Sequence, residues 1–109
     1  MRTATVYVKD IPAAELTERE TAGHTLMYEL RYFPEYLAFK DGGAISVRLP
    51  KQKESHESPY LFPFFESLLP EGEYARQICK EIQVDPRDRF GMLLALAGKD
   101  TLGDVTVRR

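Results

Sequence analysis

The sequence is short of most of the residues from which active sites and staples are built. It has one cysteine, Cys79, so no internal disulfide can form and reducing conditions suit it. There are two histidines, His24 and His56, in unrelated contexts. A zinc site needs three or four ligands, and with one cysteine only carboxylates could complete it. Two solvated imidazoles are the simpler reading, and no metal or cofactor is expected. Tryptophan is absent. The longest apolar run, Met92 to Ala97, is six residues, where a membrane-spanning helix needs about 20. The first residues alternate rather than forming the apolar stretch of a signal peptide, and the expected address is the cytoplasm. An excess of positive charge is missing too. The first 54 residues carry 8 positive and 8 negative side chains and the remainder 7 and 9. Neither half offers the clustered Lys and Arg that grip a phosphate backbone, which argues against direct nucleic-acid binding.

What is present is one domain, residues 1–109, large enough for a modest core. Thr3, Thr5, Tyr7 and Lys9 alternate with Ala4, Val6 and Val8, a period of two that predicts a strand. Pro12 suggests a turn over Asp10 to Ala14. Leu16 to Glu20, polar and charged, reads as an edge strand. Leu26, Tyr28, Leu30 and Tyr32 share one face of the next strand, and Pro34 to Ala38 suits a single helical turn. After the Asp41-Gly42-Gly43 turn signal, Ile45, Val47 and Leu49 predict a further strand. Pro50 to Pro59 has no apolar period and reads as an exposed loop.

From Pro63 the period becomes helical. Phe64, Phe65, Leu68 and Leu69 form one stripe that Pro70 stops, and Tyr74, Ile78, Cys79 and Ile82 form another. Asp85, Pro86 and Asp88 suit the start of a helix whose stripe is Phe90, Leu93, Leu94 and Ala97, with Gly98 as its cap. Leu102 to Val107 alternates as a final strand. The order predicts an α+β domain: an antiparallel β-sheet from the N-terminal half, three helices in the C-terminal half, and a last strand returning to the sheet.

Catalytic signals are weak. Cys79 lies on an apolar helical stripe, where a thiol packs rather than reacts. Ser55-His56-Glu57 is adjacent in sequence, whereas triads converge in space. No Gly-x-Ser-x-Gly elbow, phosphate-binding loop or kinase motif occurs. The carboxylates Glu66, Glu71, Glu73, Asp85 and Asp88 fall where helix starts would use them. The feature that stands out is the aromatic density of Tyr60, Phe62, Phe64 and Phe65. Phe64 and Phe65 belong to the helical stripe, while Tyr60 and Phe62 precede it and are candidate interface anchors, with burial as the simpler alternative.

Those residues carry a resemblance. Pro63-Phe64-Phe65-Glu66-Ser67-Leu68-Leu69-Pro70-Glu71-Gly72 resembles the P-F-F-x-x-L-L-P-E-G run of the small N-terminal domain in HipA-type proteins. Asp85-Pro86, Arg89 to Asp100 and Gly103 fit the family's next helix and its exit, and Val6-Tyr7-Val8, Tyr32 to Leu37 and Ile45 to Pro50 fit upstream. In full-length HipA-type toxins this domain precedes a serine/threonine kinase core, whereas this sequence ends at Arg109. Two explanations stand open, a domain excised from a longer protein and a natural stand-alone protein; for the second, the resemblance implies a non-catalytic, HipS-like antitoxin of a tripartite HipB–HipS–HipT system. It would dock on a HipT/HipA-like kinase and occlude the active site, with a HipB-like helix-turn-helix protein supplying DNA binding in the same complex. On this view Tyr60 and Phe62 are the anchors and His56, Glu57 and Ser58 the rim. The alternative it leaves open is a detached N-terminal lobe that a HipA-like kinase needs for activity.

Overall fold

The computed structural model describes residues 1–96 and 104–109. Alternation at the N-terminus produces β1 (Arg2–Val8), which buries Ala4, Val6 and Val8 on one face. Lys9 and Asp10 both adopt positive φ and close a two-residue turn, a geometry whose twist matches the flanking strands. The chain returns as β2 (Ile11–Glu20), antiparallel to β1. The turn therefore ends before Pro12, which lies inside the strand. Val6 faces Ala14 while Tyr7 faces Pro12, so Ala13 is an extra residue. Such a bulge lets proline sit in a strand and explains why adjacent Ala13 and Ala14 are both buried. β3 (Leu26–Tyr32) pairs along the other side of β2.

α1 (Pro34–Ala38) follows, with Pro34 at its first turn. Then β4 (His56–Ser58), α2 (Pro63–Glu66), α3 (Gly72–Ile82), α4 (Arg89–Ala95) and β5 (Val105–Arg108) complete the order. The sheet runs β4-β3-β2-β1-β5, with every pairing antiparallel. This is the expected α+β arrangement, with three helices in the second half and a last strand that returns, Val107 opposite Val6 and Val105 opposite Val8.

Four local expectations are corrected. Leu16–Glu20 is no edge: β2 is the central strand, and Leu16, Thr17 and Glu18 are buried. Ile45–Leu49 is no strand either. A bridge between Ser46 and Leu49 folds it into a tight turn that buries Ile45 and Leu49 and leaves Val47 97% exposed. Two tyrosines hold this segment. The Tyr32 hydroxyl accepts from Ile45 N–H (2.9 Å) and donates to the Leu49 carbonyl, and Tyr36 donates to the Gly43 carbonyl (2.5 Å). Gly42 packs so closely on the Tyr36 ring that a Cβ there would lie 2.8 Å from it. The loop before Pro59 contains β4, which the sequence conceals because a short edge strand needs only backbone partners. Last, the cap of α4 is Asp88, which accepts from Gly91 N–H (3.0 Å), rather than Asp85.

The core lies between one face of the sheet and the helices. It joins Val6, Leu16, Leu30 and Tyr32 to Phe62, Phe65, Leu69, Phe90, Met92 and Leu93. In α3 the buried residues are Ala75 and Cys79, while Tyr74 points outward. The Ala97 and Gly98 positions, and Leu102 and Gly103, lie outside the described residues. The other sheet face carries a charged ladder, Arg19 and Arg31 on Glu29 and Arg19 on Glu57, at 3.4–3.9 Å. Exposed pairs of this kind contribute little stability.

Candidate partner-binding cleft

Strand register builds the site. Arg2 is opposite Glu18 across β1 and β2, and Tyr28 is opposite Glu18 across β2 and β3. All three lie on the core face, in phase with Ala4, Leu16 and Leu30. The Arg2 guanidinium donates through Nε and Nη2 to Glu18 Oε1 (2.8 and 2.6 Å), and the Tyr28 hydroxyl donates to Glu18 Oε2 (2.8 Å). The start of α4 then brings in Asp88, which takes two more bonds from Arg2 at 3.0 and 2.8 Å. Arg2 also sits over the Phe90 ring, 5.3 Å from its centroid. One guanidinium thus ties β1, β2 and α4 together with charge-assisted bonds, the strong kind. A Cβ on Gly91 would fall 2.2 Å from Asp88 Oδ2, so glycine there gives the carboxylate its place.

The electrostatics follow from these contacts. The Arg2 hydrogen bonds hold the Asp88 carboxyl below its ordinary range, assisted by Gly91 N–H. Hydrogen bonds from Arg2 to Asp88 and Glu18 push the guanidinium further toward its charged form. Burial, then the Glu18 carboxylate, raises the Tyr28 phenol, which stays a neutral donor. At the surface, Asp85 is lowered because it accepts from Arg87 N–H and from the Arg87 side chain.

Beside this network opens a cleft of about 620 Å³. Leu26, Tyr28, Pro59, Tyr60 and Leu61 supply an apolar wall, and Glu18, Glu66, Asp85, Arg87, Asp88 and Arg89 line the rest. Arg89 is fixed by Glu66 (2.9 Å) and by the Pro70 carbonyl (3.4 Å). Leu26 is 47% exposed and Tyr60 78%, so two large apolar side chains stand at the opening.

The sequence-derived site residues divide in this frame. Tyr60 is at the surface, on the cleft. Phe62 is not: it is 6% exposed and packs edge-on against Phe65 (6.3 Å), so its expected role as a surface anchor is corrected to a core role. Its backbone conformation just before Pro63 turns the ring under α2. Ser58 lies next to Tyr60 and accepts from its N–H (3.1 Å). His56 is half-buried, with Nε2 against the Pro50 carbonyl (2.8 Å) and its ring edge-on to Tyr32. Glu57 pairs with Arg19 on the opposite face of the sheet. His24 is exposed beside Glu20 (3.0 Å), and Cys79 is buried. Among the described residues no three His, Cys, Asp or Glu side chains group as metal ligands would. Sequence reasoning missed Arg2, Glu18, Leu26 and Tyr28 as site residues. The available signal was a lone charge in phase with each of two apolar rows, Arg2 with Ala4 and Val6, and Glu18 with Ala14 and Leu16.

The described residues form two layers, sheet and helices, with a cleft floored by polar side chains at one edge. The chain belongs to the HipA N-terminal domain family, whose sequence profile matches residues 4–108. Its structure is similar to a solved N-terminal domain of HipA toxin, with a TM-score of 0.67 and 27% identity, covering 99% of this chain and 92% of that one. It is also 31% identical over 81 residues to an uncharacterized protein of Haemophilus influenzae, spanning 74% of this chain and 72% of the relative. The family match is to the N-terminal domain and not to a kinase domain. No helix among the described residues is long and apolar enough to cross a membrane.

Proposed function

We propose that this chain is a non-catalytic, HipS-like antitoxin that binds a HipT/HipA-like serine/threonine kinase and suppresses it. It takes the position of the N-terminal domain in the fused proteins and occludes the active site. The observation that carries the reading is the family match, which fills residues 4–108 with this one domain. Tyr60, exposed beside the cleft, is the anchor; Ser58 accepts from its N–H, and His56 lies further along β4 against Tyr32, outside the cleft lining. An aromatic that stands in water and has apolar neighbours is the kind of side chain that dominates interface energetics. Phe62 supports it from the core, and Glu57, across the sheet, belongs to a second face. A HipB-like helix-turn-helix protein supplies the DNA contact in the same complex, consistent with a net charge of −2 here.

The test is phosphorylation by the kinase encoded beside this gene, with and without an equimolar amount of the chain. Lost activity together with a co-eluting complex is expected. Increased activity would instead make the chain a detached lobe that the kinase requires. No complex and no effect would refute both.

A further inference from the structure

The charges in the cleft do not balance. Arg87 pairs with Asp85 and Arg89 with Glu66, but Glu18 and Asp88 share the single guanidinium of Arg2. Among the described residues, the cleft and the network behind it hold one carboxylate more than they hold cations. The two members of that surplus differ. Both have their two oxygens engaged, those of Asp88 by Arg2 and Gly91 N–H, but Glu18 is 8% exposed whereas Asp88 is 38% exposed and borders the cleft. The uncompensated charge is therefore presented at the Asp88 side, facing the apolar wall of Leu26, Tyr28 and Tyr60. A polar floor with a negative excess and an aromatic-aliphatic wall is complementary to an amphipathic cation: an alkyl stem lies along the wall while its charged head meets the carboxylate. The exposed Tyr60 ring adds a face on which a guanidinium or ammonium can rest.

We infer that the cleft receives a lysine or arginine side chain carried on an apolar segment of the partner kinase. This rests on the antitoxin reading above and names the chemistry that the kinase must present at the cleft.

Leu26 tests the sign of the charge without disturbing the network. The substitutions Leu26→Glu and Leu26→Lys both replace the leucine by a flexible charged side chain and carry opposite charges, lysine keeping the longer alkyl stem. Across the strand pair Leu26 faces Glu20, so the fold itself favours lysine there, and instability cannot imitate the expected result. Affinity for the kinase encoded beside this gene is measured by titration calorimetry, with circular dichroism confirming that both variants are folded. At about 50 mM salt the Lys variant is expected to bind about ten-fold more weakly than the Glu variant, because like charges repel across an interface. The gap should shrink at about 500 mM, where screening is short-ranged. Equal affinities, or tighter binding by the Lys variant, would overturn the inference and leave the antitoxin reading standing. A wild-type chain that binds no kinase overturns both.

Discussion

Replacing Arg2 by Met keeps a stem of similar length and removes the four bonds that join Glu18 and Asp88. The consequence is set by what remains. Glu18 is 8% exposed, so its carboxylate would stay in the core edge with only the Tyr28 hydroxyl as partner. Breaking a fully buried pair in this way costs about 3–5 kcal/mol. Arg2 and Asp88 are each more than a third exposed, so water relieves part of that, and a loss of about 2 kcal/mol is expected after the discount for screening. In a domain of this size that lowers the melting temperature by about 10 °C. Urea unfolding followed by circular dichroism at neutral pH gives the number directly. The double variant Arg2→Met with Glu18→Gln should recover more than half of the loss, because a neutral amide no longer demands a counter-charge and can still accept from Tyr28. A loss under about 0.5 kcal/mol, or no recovery in the double variant, would refute the claim that Arg2 acts by compensating Glu18.

Phe62 and Tyr60, two residues apart, should separate cleanly. Phe62→Ala empties a core position and is expected to cost about 3–5 kcal/mol of stability, whereas Tyr60→Ala should change unfolding by less than about 0.5 kcal/mol. On the antitoxin reading Tyr60→Ala weakens kinase binding by about 1–2 kcal/mol or more, and calorimetry with the kinase checks it. The acid limb of the stability curve reports Asp88. Its carboxyl is lowered from 3.8 in the folded chain, so the ionised form stabilises the fold at every pH above that ordinary value. That contribution fades as the pH falls through 3.8 toward the depressed folded value. Asp88→Asn should therefore be less stable than wild type at neutral pH, with the difference narrowing in acid. A constant offset across the titration would refute it.

The strands and helices with regular apolar period were legible because burial on one face repeats locally. β1 and β3 could be read from alternation, and α4 from its stripe. The central position of β2 could not be read, since its charged residues look like those of an edge until Arg2, 16 residues away, is seen against Glu18. That pairing depends on strand order, which no local window contains. Ile45, Val47 and Leu49 failed for a related reason. A tight turn also places alternate residues on opposite sides, and only the Tyr32 hydroxyl, 13 and 17 residues away, distinguishes the two. Phe62 and Tyr60 shared one reading because aromatic density gives no direction; the turn before Pro63 supplies it. The cleft was invisible because its walls come from β3, the segment before α2 and the start of α4.

The segment held by Tyr32 and Tyr36 has a practical use. Both hydroxyls grip backbone atoms of Ile45, Leu49 and Gly43, not side chains, so the path of the loop does not depend on what Val47 carries. A fluorophore attached through Val47→Cys would stand almost wholly in solvent. The native thiol, Cys79, is buried and would be shielded from the labelling reagent. That gives a reporter of complex formation outside the cleft under test.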